Sequence, residues 1–244
     1  APARKENPIR SLPGIPFLLG GLAISALAAW LFINGVIAAK QGAGGAPAMI
    51  IGGLLLGLVA FLSLIGLYTV QPNQAAVISL FGKYVGTVKE NGLRWNNPFF
   101  SKKKISQRVR NFESSKLKVN ELDGSPIEIA AVIVWQVVDA SEAVYNVDDY
   151  ESFVHIQSES ALRTMATSYP YDQHEDGQVA LRSHAAEVSQ HLKDELGERL
   201  ADAGVAVIDA RITHLAYAQE IAQAMLQRQQ ANAIIAARTR IVAG

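Results

Sequence analysis

Three residues of this 244-residue chain have the types and spacing of a metal site: His184, Glu187 and His191. At i, i+3 and i+7 they would share one face of a helix. The two histidines are two turns apart, about 10 Å of rise, which is long for one ion. A solvated helix face fits the spacing better than a metal site. The remaining histidines are scattered, and "HEDG" (174–177) reads as a turn rather than an acid–base pair. The chain has no cysteine, so disulfides and thiolate metal sites are excluded. GxSxG, GxGxxG, P-loop and HExxH patterns are all absent from the sequence. No catalytic residue, metal site or cofactor is expected.

A second constellation is "GLRWNNPFFSKKK" (92–104), three aromatic rings beside three consecutive lysines. A folded core would take the rings and reject the lysines; solvent would do the reverse. A membrane interface welcomes both, because rings settle at headgroup depth and lysines reach phosphates. Trp95, Phe99 and Phe100 are therefore expected to enter the leaflet, with Lys102, Lys103 and Lys104 holding anionic headgroups. The alternative puts the rings in the domain core and the lysines in a solvated turn.

The elements before this stretch supply the membrane. Half of the residues are hydrophobic, and mean hydropathy is +0.15. Residues 15–39 carry no charge over 25 positions, and residues 48–70 none over 23. Each is long enough for a helix to cross the hydrocarbon, which takes about 20 apolar residues. A cleaved signal peptide is the other reading of the first stretch, but that stretch is long for one and a second span follows. Gly20, Gly21, Gly52, Gly53 and Gly57 would weaken soluble helices, whereas membrane helices pack through glycine. The linker "KQGAGGAP" (40–47) makes a tight hairpin, so both ends of the pair lie on one side. Lysines and arginines flank that side, which predicts a cytoplasmic placement; a hairpin that re-enters one leaflet would give the same sidedness.

Charge is segregated along the chain. Residues 71–110 hold eight basic residues against one acidic, and residues 111–200 hold seventeen acidic against six basic. The basic part directly follows the apolar pair, where anionic headgroups attract each nearby Lys or Arg by roughly 1 kcal/mol. A nucleic-acid partner is not expected, because this basic stretch is tethered against the bilayer.

Beyond the spans the pattern is α+β. Apolar runs 75–81 and 84–88 read as a β-hairpin around Gly82, and strands are expected over 105–122 and 127–138. The run "IEIAAVIVWQVV" is apolar on both faces, as a central covered strand is. A helix is predicted over 141–168 and another over 178–203, ended by Gly204. "VAVIDARITHL" alternates as a strand, with Ile208, Ala210 and Ile212 on one face. From 216 to 244 an alanine-rich helix follows, apolar on several sides. Such a helix needs several neighbours, and copies of itself could supply them. The alternative folds it back on its own domain. The expected division is a cytoplasmic segment 1–14, two transmembrane helices in 15–70, an α+β domain 71–215 and the start of an oligomerisation helix at 216–244. The leading Ala and the uncapped last helix suggest processing in front and further sequence behind Gly244.

The ordered set of stretches resembles the stomatin/prohibitin/flotillin/HflK-HflC superfamily, also called SPFH or band 7, of a prokaryotic type with two N-terminal membrane segments. The likeness begins at "YTVQPNQAAVISLFGKYVGTVKENGLRWNNPF" (68–99) and runs through the strand ending at Val138-Asp139. It continues in "ESALRTMATSY" and in the stretch from "LGERLADAGVAVIDARITHLAYAQEIAQAM" to Gly244. The resemblance implies a non-enzymatic scaffold: a membrane hairpin, an SPFH domain of strands plus two helices, and a long coiled-coil-like helix. It implies a large homo-oligomeric ring or cage that encloses a membrane microdomain in a bacterial inner membrane. Subunit contact then falls on Ile221, Met225, Leu226, Ile234, Ile235 and Ile241. Two other functions are compatible with the residues: a regulator of a membrane protease or other enclosed membrane protein, and a membrane-anchored hydrolase.

Overall fold

The computed structural model describes residues 6–173 and 178–243, and at 229, 232, 233, 236 and 239–243 the backbone alone. The chain divides into two compact units, Pro2–Arg108 and Val109–Gly244.

In the first unit a short strand β1 (Leu12–Pro13) leads into α1 (Gly14–Lys40), and α2 (Ala46–Ile65) returns. At 1.5 Å per residue these helices are about 40 and 30 Å long, enough to cross a bilayer. Gln41 and Gly42 stop α1, with Gly42 in the left-handed region at φ 73°. Pro47, in the first turn of α2, suits a position whose N–H has no helical acceptor. The buried residues of α1 are Gly14, Gly21, Ala28 and Gly35, and those of α2 are Ala46, Gly53 and Ala60. Small residues thus recur every seven positions on both helices and let the backbones meet. A Cβ on Gly53 would lie 2.9 Å from the Ala28 carbonyl oxygen, and one on Gly35 would lie 2.9 Å from the Ile50 amide nitrogen. Gly20 and Gly52 have open space beside them, so only part of the glycine set builds the seam.

Strands β2 (Leu67–Val70), β3 (Gln74–Leu80), β4 (Lys83–Val88), β5 (Gly92–Trp95) and β6 (Ser101–Ser106) complete this unit. They form two antiparallel sheets, ordered β1-β5-β2 and β4-β3-β6. Tyr68, Val70, Ala76, Ile78 and Val88 make its core cluster.

The second unit begins with β7 (Arg110–Glu113), β8 (Leu117–Asn120) and β9 (Pro126–Val137). The expected single strand over 105–122 is therefore divided among β6, β7 and β8. Next come α3 (Ala140–Tyr145), α4 (Tyr150–Ser168), α5 (Ala185–Ala201), β10 (Val205–Tyr217) and α6 (Gln219–Ala243). As its two-faced apolar composition implies, β9 is central, between β10 on one side and β7 and β8 on the other. Ile127, Ile129, Ile133, Leu162 and Leu196 are fully buried around it.

Three expected elements differ. The helix over 141–168 is two helices, because Asp139 and Asp149 each accept backbone N–H bonds at a helix start and the chain turns between them. The helix over 178–203 begins only at Ala185. The Leu181 N–H instead donates to the Pro170 carbonyl at 2.9 Å, and Arg182 pairs with Asp172 at 2.7 Å. The strict alternation of β10 is broken by irregularities at Val207/Asp209 and Ile212/His214, so Ile208 is exposed while Ala210 is buried. Gly204 does end the preceding turn, at φ 64°. The "HEDG" segment lies outside the described residues.

Candidate membrane interface and assembly helix

Trp95 sits where the two apolar helices open. Strand β5 runs between β1 and β2 and delivers it there. Its ring stacks on Phe17 of α1, centroids 4.2 Å apart and planes 7° from parallel. Its indole N–H donates to the Ser63 carbonyl at 2.7 Å, one of the carbonyls that the last turn of α2 leaves without a helical partner. Trp95 thus joins both helices to the sheet that follows them.

The next residues sort by an Asx turn. The Phe99 N–H donates to the Asn97 side-chain oxygen at 3.0 Å, and the Phe100 N–H to the Asn97 carbonyl at 3.0 Å. The turn leaves Phe99 65% exposed, and Phe100 packs against the Tyr68–Ile78 core cluster. The three lysines are in strand β6, not in a turn, so they alternate between faces. Lys102 stands over the Tyr68 ring, 5.2 Å from its centroid, and partial burial pushes its pKa down. Lys104 lies on the same face, 3.4 Å from the Thr69 hydroxyl, and Lys103 is exposed on the other. Burial raises the pKa of the Tyr68 phenol.

Phe81 ends the apolar run 75–81 that reads as strand, and the structure makes it the first residue of a two-residue turn. Phe81 and Gly82 have φ 47° and 82°, the type I′ geometry that joins β3 to β4. A left-handed backbone costs a residue with a Cβ roughly 1–2 kcal/mol, and the Phe81 ring is 89% exposed. Ser79 pairs with Ser101, so this tip lies at the same sheet end as Phe99. The signal for it in the sequence is a bulky ring where a type I′ turn normally has Asn or Gly.

Charge follows the two units. Residues 2–108 hold eleven Lys or Arg and two Asp or Glu; residues 109–244 hold eleven and twenty. The first unit is therefore nine charges positive and the second nine negative. The two carboxylates of the first unit are both engaged, Glu6 with Lys89 and Glu90 with Arg94. Lys83, Lys102, Lys103 and Lys104 have no carboxylate of their own unit left to pair with.

The segment before α1 is held by strands that follow α2. The Thr87 N–H donates to the Asn7 carbonyl at 2.9 Å, the Ile9 N–H to the Thr87 carbonyl at 3.1 Å, and Ile9 fills the space beside Gly86. The residues that enter the hairpin and those that leave it consequently lie at one end of the helix pair.

Helix α6 starts from a fixed point in the second unit. Ala218 is fully buried and its N–H donates to the Pro126 carbonyl at 2.9 Å, while Lys118 pairs with Glu220 in the first turn. That ion pair holds the Glu220 carboxyl below its ordinary range. Ile221 and Met225 are half-buried. Leu226, Ile234 and Ile235 are 55%, 56% and 62% exposed. The Ile241 side chain lies outside the described ones. At about 100° per residue, Ile234 and Ile235 are roughly 80° and 180° round the helix from Leu226, so the exposed apolar residues do not form one stripe.

The sequence model of the SPFH domain / Band 7 family matches residues 68–242, from β2 to the end of α6. The chain belongs to this family. Among curated proteins, the Band 7 chain is similar to an uncharacterized protein of Methanothermobacter thermautotrophicus, 27% identical over 179 residues. That alignment takes in 73% of this chain and 53% of the relative, so the chain spans about half of that protein's length. It is also similar to an uncharacterized protein of Methanocaldococcus jannaschii, 24% identical over 180 residues, 73% of this chain and 86% of the relative.

Both histidines of the candidate metal pattern in this Band 7 chain have hydrogen-bond partners. His184 precedes α5 and its Nδ1 takes the Ala180 N–H at 3.2 Å, with the Ser183 hydroxyl 2.9 Å away. His191 pairs with the Tyr169 hydroxyl instead. Among the described residues no three His, Asp or Glu side chains gather as a metal site. Among the described residues, the carboxylate that is buried is Glu121, 5% exposed. Its oxygens accept the N–H groups of Asp123, Ser125 and Tyr171, at 3.2, 3.4 and 3.1 Å. Those bonds pin the β8–β9 turn to the segment after α4. Nearby, Tyr171 and Tyr217 rings pack 4.0 Å apart, and burial pushes the Tyr217 phenol up to about 12.

Proposed function

We propose that this Band 7 protein is a non-enzymatic membrane scaffold whose copies assemble side by side into a large ring or cage and enclose a patch of bilayer. The observation that carries the proposal is α6: a helix with Leu226, Ile234 and Ile235 exposed on different sides. Burying a Leu or Ile side chain gains about 1.5–3 kcal/mol, and a helix with several apolar sides gains it from several neighbours. Neighbouring copies of α6 in a palisade are such neighbours. The coiled-coil-like role of 216–244 and the contacts at Ile221, Met225, Leu226, Ile234, Ile235 and Ile241 belong to this proposal. So do the division of the chain at 70 and 215 and the placement of the domain in the cytoplasm.

The membrane face belongs to it as well. Trp95, Phe99 and Phe100 with Lys102, Lys103 and Lys104 are its residues, and anionic headgroups are their partner. In support, the first unit is nine charges positive and its two carboxylates are already paired.

The test is particle size. The full chain, extracted in mild detergent, is expected to run as a very large species and to show rings by electron microscopy. Replacing Leu226 and Ile234 by Asp should reduce it to small species while circular dichroism retains the helix content. An unchanged particle would remove α6 from the subunit contact.

A further inference from the structure

We infer that the Phe81–Gly82 turn and Phe99 together form a second membrane anchor, two rings that enter the headgroup–acyl boundary of the leaflet holding the near ends of α1 and α2. The inference rests on the membrane reading above, which already includes Phe99, and adds to it the Phe81–Gly82 turn, outside the aromatic–lysine stretch. Position argues first. The Ser79–Ser101 pair puts the turn after β3 and the residues before β6 at one end of the sheet. Trp95, four residues before Phe99, touches both α1 and α2. That end of the sheet is therefore beside the mouth of the helix pair.

The chemistry argues second. Phe81 combines a left-handed backbone with a ring that is 89% exposed, where Asn would meet the turn geometry without an exposed ring. A residue that breaks a local rule marks a site where another demand decides. Phe99 is held outward by the Asn97 turn in the same way. Charge argues third. Lys83 follows the turn directly and is exposed, as is Lys103, and the carboxylates of this unit are taken by Lys89 and Arg94. Apolar rings flanked by cations match a leaflet that carries anionic headgroups. Because the rings enter one leaflet only and shallowly, their contact should strengthen where anionic lipid is present.

The absence of native cysteine makes the test clean. Single variants Phe81→Cys, Phe99→Cys, Leu22→Cys and Pro72→Cys of the full chain are labelled with an environment-sensitive fluorophore. They are reconstituted into phosphatidylcholine vesicles with and without phosphatidylglycerol, and quenched by lipid carrying a nitroxide high on its acyl chain. Leu22 reports the α1 span, and Pro72 the opposite end of the sheet. Labels at 81 and 99 should be quenched several-fold more than at 72, and more with phosphatidylglycerol than without. Quenching at 22 but not at 81 and 99 would overturn the second anchor and leave the spanning hairpin standing. Equal quenching at 72, 81 and 99 would also overturn it, because the whole sheet would then be immersed. No quenching at 22 would take the membrane reading down, and this inference with it. A Phe81→Asn change should keep or raise folding stability while lowering quenching at 99; a fall in both would make the ring a structural residue instead.

Discussion

In residues 2–108 several of the largest apolar side chains point outward: Trp30, Phe61, Phe81 and Phe99 are each more than half exposed. In residues 109–244 a core of large aliphatic side chains points inward: Ile127, Leu162, Leu192 and Leu196 are shut away from solvent. One unit carries nine net positive charges and the other nine negative. The contrast is the one a chain that meets both lipid and water would need. The second unit builds its core from a central strand and the helices that cover it. The first unit has a thin sheet core and a helix pair whose only buried seam is made of Gly and Ala. Its two apolar helices are long and apolar enough to cross a membrane, consistent with a family that is membrane-associated. Leu226, Ile234 and Ile235 of α6 depart from this pattern, as do Leu122, Ile156 and Ile208 elsewhere in the unit, and the scaffold proposal accounts for the α6 residues.

The largest expected effect probes the seam. A Cβ at Gly53 would meet the Ala28 carbonyl oxygen and the Phe32 nitrogen, both at 2.9 Å, so Gly53→Leu must push the helix backbones apart. Overpacking of this kind costs roughly 3 kcal/mol or more where the neighbour is backbone. Hydrogen exchange of the full chain in detergent should show lost protection at 67–70 and 92–95, the strands tied to the helix ends, with β9 and β10 unchanged. Equal loss in both units would break the comparison.

A second, smaller effect belongs to the other unit. Gly204 combines φ 64° with a backbone contact: a Cβ there would run into the Asp139 carbonyl, whose own residue donates to the Gly204 carbonyl at 3.1 Å. Gly204→Ala is expected to cost about 2 kcal/mol, from the left-handed backbone and the contact together. The denaturant midpoint of the β9–β10 amides should fall, with those of β2 and β5 unmoved. A midpoint that stays put would mean the turn relaxes without strain.

How much of this was legible in the residues depends on which solvent an element meets. The charge-free stretches announced α1 and α2, but their packing seam was hidden. In a lipid-covered helix all faces are apolar, so hydrophobic periodicity carries no signal, and the seven-residue recurrence of Gly14, Gly21, Ala28 and Gly35 has to be read from size instead. The two-faced apolar run of β9 was readable because a covered strand needs both faces. The break between α3 and α4 was not, because Val147 and Tyr150 continue the helical stripe across it; the cap residues Asp139 and Asp149 were the better evidence. The late start of α5 rests on bonds to Pro170 and Asp172, which are tertiary and leave no local pattern. At the candidate interface the composition of 92–104 was informative, but the assignment of each side chain was not. The Asn97 turn separates Phe99 from Phe100, and strand alternation separates Lys103 from its neighbours. Phe81 was missed because an apolar residue beside a strand reads as part of the strand.

The smallest expected effect concerns the point where α6 leaves the second unit. Glu220 is exposed, and its pKa is lowered chiefly by the bond from Lys118. A carboxyl whose folded pKa is depressed stabilises the fold above its unfolded pKa, and that contribution is lost as pH falls through the folded value. The link should therefore be constant from neutral pH down to the ordinary carboxylate range and weaken below it. Because both partners are solvated, the change is slight and salt-sensitive. It should appear as faster exchange of the Ile221 and Ala222 amides, both of which donate to the Ala218 carbonyl. Glu220→Gln should remove this pH step and leave the first unit untouched. If the step survives the substitution, another carboxylate governs the start of α6; if it appears equally in β2 and β5, it does not belong to the Lys118–Glu220 pair.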